Sequence, residues 1–231
     1  MAYLIHLETS TKSLSVVVSQ DDRFIAEKTT HSENTHSENI TLFMEQAVNE
    51  AGIKLQMLDA VSLSKGPGSY MGLRIGTSAA KGLCYALDIP LIAVDTLQSM
   101  ALKMSHETNT PKALYCPMLD ARRMEVYCAL YDEHNNCLQP TVAKIIDKTS
   151  FEKELENNII YFFGNGASKC KAVIPEGPSV KFEDNYVMSA DALITLAWHR
   201  FKSKLFENLA YFEPYYLKDF IPGLPKVKGL R

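Results

Sequence analysis

The stretch SKGPGSYMGLRIGTSAAKG, residues 64–82, holds five of the chain's eleven glycines with a proline, an arginine and two lysines. It follows DAVSLSKG (59–66), which reads as a buried strand, and runs into a helix over about 72–87. Three phosphate or nucleophile templates fail here. A Walker loop needs G-x-x-x-x-G-K-[ST], but Gly66 and Gly72 stand one residue too far apart and Leu73 takes the lysine's place. A dinucleotide turn needs G-x-G-x-x-G, whereas GPGSYMG has one residue more and is stiffened by Pro67. A nucleophile elbow needs glycines two residues either side of the serine, and Ser69 has Pro67 and Met71 there. What remains is a rigid turn. Gly66 and Gly68 permit backbone angles that other residues resist, and Pro67 fixes one dihedral.

Beyond that turn, Gly72, Gly76, Ala79 and Ala80 form a stripe almost without side chains at helical spacing. Such a stripe lets another backbone come close. It either packs on the chain's own sheet or receives a second chain. Arg74 sits at the helix start, where a cation opposes the helix dipole, so a carboxylate or phosphate partner explains it better than helix stability does.

Upstream, β-rich runs at 3–7, 14–18 and 24–27 read as a meander, with Asp21-Asp22 as a turn. In HSENITLFMEQAVNEAGI (36–53) the apolar period becomes helical through Ile40, Phe43, Met44, Ala47, Val48 and Ala51, with Ser37 a candidate N-cap and Gly52 a stop. Downstream come a strand, IPLIAV (89–94), and a helix over about 96–104. The polar, proline-containing SHETNTPK (105–112) marks a boundary between a lobe at 1–105 and another at 106–231. The scheme then starts again. ALYCPMLDA (113–121) and MEVYCALYD (124–132) are strands around an Arg122-Arg123 turn, with TVAKII (141–146) a third. SFEKELENN (150–158) reads as a helix, IIYFFG (159–164) as a strand, and SADALITLAWHRFKSKL (189–205) as a helix. Two lobes of three strands, helix, strand and helix make a duplicated α/β architecture.

Composition narrows the function. A net charge of -3 argues against a general nucleic-acid coat, although LPKVKGLR (224–231) is locally basic. Five scattered cysteines form no C-x-x-C pair, so neither a zinc knuckle nor a redox motif is indicated. The N-terminus lacks a basic leader and no apolar run reaches membrane-spanning length, which predicts a cytoplasmic protein with no membrane partner.

Two constellations remain. His31 and His36 in HSENTHSEN stand five apart, on different helical faces, so no metal site is expected. HLETSTKS (6–13) places Glu8, Thr9 and Ser10 at a strand-to-strand turn, and Asp120 occupies the matching place in the second half. Facing carboxylates there would suit Mg-nucleotide, yet neither turn has the glycines that close phosphate approach requires.

Against that background, KGPGSYMGLRIGTSAAKGLCYAL (65–87) closely resembles the signature of the TsaB (YeaZ) family, GPGSFTGLRIG followed by a small-residue helix. HLETSTKSLSVVV, HSENI, LDARRMEVY and EPYYLKD resemble that family's opening hairpin, first helix entry, second-lobe turn and closing motif. The resemblance implies an actin-like, ribonuclease H-like fold of two duplicated lobes of mixed sheet plus helices. It also implies a non-catalytic subunit, homodimeric when alone, that supports a TsaD-like catalytic subunit and a TsaE-like ATPase. That system attaches threonylcarbamoyl to the adenosine beside the anticodon of ANN-decoding tRNAs, which this chain would meet indirectly. Tyr70-Met71 replaces Phe-Thr, Glu8 stands where aspartate is common, and Lys218 replaces an arginine. The H-x-x-x-H pair of the catalytic relative is absent.

The expected partner interface comprises Ile40, Phe43, Met44, Gly72, Leu73, Arg74, Gly76, Ala79, Ala80 and Leu83. Gly66, Pro67 and Gly68 are structural, and Glu8, Thr9, Ser10 and Asp120 a vestigial nucleotide site, with ATP and magnesium held weakly or only within the complex. The alternative is a stand-alone ATP-dependent phosphotransferase or hydrolase of the same fold, and a glycoprotease-type metallopeptidase stands behind it.

Overall fold

The computed structural model describes residues 1–32 and 36–218. Strands β1 (Tyr3–Glu8), β2 (Leu14–Gln20) and β3 (Arg23–Thr30) form an antiparallel meander, turning between β2 and β3 at Asp21 in the left-handed region (φ 55°). Helix α1 (His36–Glu50) follows and buries Ile40, Met44, Ala47 and Val48, the stripe read from its period. Ser37 is inside the first turn of α1, so it is not the N-cap. Next come β4 (Leu58–Gly66), α2 (Tyr70–Leu87), β5 (Leu91–Asp95) and α3 (Thr96–Thr108). β4 pairs parallel to β1, and β5 parallel to β4, giving a sheet ordered β3-β2-β1-β4-β5.

The second half repeats this plan. β6 (Leu114–Asp120), β7 (Glu125–Tyr131) and β8 (Cys137–Ile145) are antiparallel, with Arg122 and Arg123 both at positive φ in the β6–β7 turn. After the single turn α4 (Glu152–Leu155), β9 (Ile160–Phe163) pairs parallel to β6 and β10 (Val180–Glu183) parallel to β9. The order β10-β9-β6-β7-β8 matches the first sheet strand for strand.

Three elements differ from expectation. SFEKELENN forms only the four residues of α4, because Phe151 enters it with positive φ and buries its ring in the core. β10 is short and half exposed, so it lacks the alternation that marks a strand. The last helix begins as a 3-10 turn over Ala190–Leu193 and becomes α5 (Ile194–Lys202).

The two halves exchange cover. α1 and α2 pack on one face of the first sheet, against Ile5, Leu7, Val16 and Val18. Its other face, Leu4, Val17, Ile92 and Val94, is covered by Leu193, Ile194 and Ala197 from the far end of the chain. Fully buried Leu193 and nearly buried Ile194 each contribute about 1.5–3 kcal/mol to that layer. Conversely, Leu97, Met100 and Met104 of α3 pack with Tyr115, Leu119 and Phe163 of the second half. The boundary expected at 105/106 therefore falls in the last turn of a helix that serves the second core.

Polar pins fix these layers. On β1, His6 lies between two hydroxyls, Ser62 Oγ at 2.6 Å from Nδ1 and Ser19 Oγ at 2.8 Å from Nε2. Burial pulls its pKa down to about 3, so the neutral ring ties three strands together. Ser15 and Ser189 both donate to Glu27 Oε1, at 2.9 and 2.6 Å, and Ala190 N donates to Ser15 Oγ at 2.9 Å. That cluster fastens the entry of α5 to β2. Among the described residues, no helix is long and apolar enough to cross a membrane.

Candidate functional site

β1 ends at Glu8, and the chain turns at once through Thr9 and Ser10. Glu8 Oε1 accepts from Ser10 N at 2.6 Å and from Ser10 Oγ at 2.5 Å, so the loop folds back on its own carboxylate. All three residues are at most 2% exposed. Helix α2 covers them. A methyl group at Gly72 would overlap the Thr9 carbonyl oxygen. One at Gly76 would overlap the Thr9 hydroxyl and lie 3.1 Å from its methyl, and one at Gly68 would lie 2.6 Å from Ser10 Cβ. The bare stripe therefore packs on the chain's own first turn.

This placement corrects most of the expected interface. Gly72, Leu73, Gly76 and Ala80 are buried under α2, and Ile40 and Met44 under α1. Phe43, Ala79 and Leu83 are half-buried against the same core. Only Arg74 of the ten is exposed, and it stacks over the Tyr70 ring at 5.5 Å. The outward face of α2 consists instead of Met71, Arg74, Ser78, Gly82, Tyr85 and Ala86. Sequence reasoning missed Met71, Ser78 and Tyr85, because it followed the small residues rather than the positions a half turn away from them.

The turn before α2 has a distinctive backbone. Gly66 takes a φ of 116°, the Gly66–Pro67 peptide is cis, and Ser69 caps α2 by accepting from Gly72 N at 3.3 Å. The surprise is what packs there. Tyr215 N donates to Lys65 O at 2.7 Å, and the Tyr215 carbonyl oxygen lies 2.6 Å from where a Gly66 side chain would begin. Residues 213–218 form a strap that continues to the second sheet, where Lys218 pairs with Glu125 and sits 6.0 Å from the Tyr127 ring. The basic LPKVKGLR lies outside the described residues.

The electrostatics at the two strand ends diverge. Burial pushes the Glu8 carboxyl up, against the opposing pull of the Ser10 hydrogen bonds and of Ser64. Even so, Glu8 Oε2 and Ser64 Oγ are both buried without a well-formed hydrogen bond. Asp120 is exposed and lowered: its partial burial is outweighed by Lys169 and by the Arg122 N–H, which donates at 3.0 Å. One carboxylate is sealed in and the other is engaged by a lysine. The residues present do not fit a phosphate chain at Glu8, since α2 closes the loop that would cradle it. His31 and His36 converge on Ser13, through its hydroxyl at 3.0 Å and its carbonyl at 3.2 Å, which secures the β1–β2 turn. Among the described residues no group of three or more His, Cys, Asp and Glu is placed to hold a metal ion.

A pH test reads the burial of Glu8. A carboxyl raised in the folded state stabilises the fold below its unfolded pKa, and that contribution is lost as pH rises through the raised value. Glu8→Gln removes the titration, keeps the acceptor for Ser10 and gives Ser64 a donor. Its thermal midpoint is expected to exceed that of the parent at pH 8, with the gap closing toward pH 5. Equal gaps at both pH values would show that Glu8 is not held in a desolvated site.

A family model described as TsaD, tRNA N6-adenosine threonylcarbamoyltransferase, matches residues 24–229. The tRNA threonylcarbamoyladenosine biosynthesis protein TsaB of Bacillus subtilis is 32% identical over 177 residues, 75% of each chain. Its namesake from Escherichia coli is 30% identical over 136 residues, 58% of this chain and 56% of that one. Among solved structures, YeaZ from Pseudomonas aeruginosa superposes with a TM-score of 0.80 at 22% identity, over 94% of this chain and all of the other. A 2-hydroxyglutaryl-CoA dehydratase component A from Acidaminococcus fermentans reaches 0.53 at 8% identity, covering 89% of this chain and all of that one. These likenesses fit two matched sheets of the actin-like class.

Proposed function

The chain belongs to the TsaB family, and from that premise we propose that it is a non-catalytic subunit that binds and activates a TsaD-like transferase. With a TsaE-like ATPase, that assembly forms threonylcarbamoyladenosine beside the anticodon of ANN-decoding tRNAs in the cytoplasm. The observation that carries this reading is the contrast between the two faces of α2. The inner face closes the Glu8 loop, the outer face leaves Met71 60% and Tyr85 84% exposed, and the adjoining helix α1 leaves Leu42 45% exposed. The outward positions 71, 74, 78, 82 and 85 are spaced three and four apart, as in a helix that pairs along a seam. α1 and α2 pack side by side, so the pair offers two helices to a partner's two. When alone, the same face is available for a second copy.

Reconstitution with each component omitted in turn tests the reading. Modified adenosine is expected when transferase, ATPase and this chain are all present, and loss to background when this chain is left out. Full-rate modification without it would reject the role. The rival reading, a stand-alone ATP-dependent enzyme, predicts micromolar Mg-ATP binding to the isolated chain that Asp120→Ala abolishes. The closed loop at Glu8 favours no such binding.

A further inference from the structure

Arg74 is exposed on the outer face of α2, and its own helix does not explain where it points. A cation near the start of a helix opposes the dipole. None of the ion pairs among the described residues includes it. What it touches is the face of Tyr70, with the guanidinium carbon 5.5 Å from the ring centroid. Tyr70 is the first residue of the helix, where the backbone lacks the bonds that hold later turns. Its ring is supported from outside the helix. Tyr216 of the strap lies 4.8 Å away at 39°, a separation at which two aromatic rings attract. Both rings are half-buried. Burial and Tyr70 push the Tyr216 phenol up while Arg74 pulls it down, so the cation acts on both rings.

Tyr216 is itself held on either side along the chain. Before it, Tyr215 N donates to Lys65 O at 2.7 Å, and the Tyr215 carbonyl oxygen fills space that a side chain at Gly66 would take. After it, Lys218 pairs with Glu125 of β7. A long side chain free in solvent loses rotamer freedom when a partner takes it, and that loss offsets binding. A guanidinium already resting on a supported ring loses less. We propose that the strap is a positioning element for the partner surface: Tyr216 holds the Tyr70 ring, and the ring holds the Arg74 guanidinium ready for an acidic group of the transferase subunit. The relay rests on the role proposed above, and adds to it a residue that acts on the partner without touching it.

A double-mutant cycle tests the relay, with the full chain captured by surface-immobilised transferase subunit. Arg74→Ala is expected to weaken capture about thirtyfold, as truncation of an anchoring arginine does. Tyr216→Ala is expected to weaken it about fivefold, because Arg74 then bears its full rotamer cost. In the Arg74→Ala background the same change is expected to cost less than about twofold, since no cation is left to position. Tyr216→Phe keeps the ring and is expected to bind as the parent does. Tyr216→Leu fills the strap without a flat face, is expected to behave as Tyr216→Ala, and carries the test if the alanine variant melts early. The gap between parent and Arg74→Ala should narrow in high salt, as for an ionic contact. Equal costs of Tyr216→Ala in the two backgrounds would overturn the proposal, because Tyr216 would then touch the partner itself. So would parent-like capture by Tyr216→Ala or Arg74→Ala, or a gap that salt leaves unchanged. A parent chain that captures no transferase would remove the role proposed above and the relay with it. Capture by the parent with additive variants would remove the relay alone.

Discussion

Gly72→Ala is expected to lower the melting temperature by about 4–8 °C, while Gly82→Ala, on the same helix, raises it by about 1–4 °C. Alanine is the better helix former by about 1 kcal/mol in a helix interior, so propensity alone predicts a gain at both positions. The surroundings decide the sign. A Cβ at Gly82 meets nothing within 4 Å, and the residue is exposed, so the propensity gain stands unopposed. A Cβ at Gly72 meets the carbonyl oxygen of Thr9, with its carbonyl carbon at 3.3 Å. That oxygen belongs to the backbone between β1 and β2, and it cannot swing away as a flexible side chain would. The helix must lift from the sheet instead, which strains the core of Leu73, Ala80 and Cys84 beneath it. Overpacking costs up to about 3 kcal/mol, and a Cβ placed 2.0 Å from a backbone oxygen stands at the top of that range, about 2 kcal/mol beyond the propensity gain. Thermal melts of the two variants beside the parent check the pair. A Gly72→Ala protein that melts with the parent would mean that α2 does not sit on Thr9.

The same residues show how far the sequence was legible. The existence of α2 and its turn could be read directly, since Gly66, Pro67 and Ser69 punctuate the chain and the apolar period behind them is regular. The duplicated order of strands was legible for the same reason, because each lobe opens with a meander whose turns carry Asp21 or Arg122-Arg123. What the stripe of small residues touches was not legible. Its partner, Thr9, lies sixty-odd positions upstream, and nothing in local spacing says whether a bare helix face meets its own sheet or another chain. The exchange of α3 and α5 between the two cores was hidden likewise, since amphipathic periodicity gives a helix a buried side without naming what buries it. The strap at 213–218 has no periodicity at all, so local spacing says nothing of its contacts with Lys65 and Glu125.

Tyr85→Ala combined with Arg74→Glu is expected to abolish capture of the transferase subunit and, with it, tRNA modification at limiting concentration, without shifting the melting temperature. Tyr85 is 84% exposed and Arg74 projects from the same side, so neither change opens a cavity in the core. Tyrosine and arginine are the residues that most often dominate an interface, each costing about 2 kcal/mol or more when truncated there, and charge reversal adds repulsion. Together they predict a loss of affinity of about a thousandfold. Gly82 completes the argument. It lies between Ser78 and Tyr85 on the outer face, where alanine would stabilise the isolated helix, and an exposed mid-helix glycine costs about 1 kcal/mol for no internal contact. A second helix seated closely along this seam gives that cost a purpose. Gly82→Ala should therefore yield a more stable chain that associates more weakly, a combination that a purely solvated face cannot produce. Surface-immobilised capture, run beside the melts, reads both quantities on one set of variants. Wild-type capture by the Tyr85→Ala/Arg74→Glu protein would remove the outer face of α2 from the interface and leave α1 to account for the partnership alone.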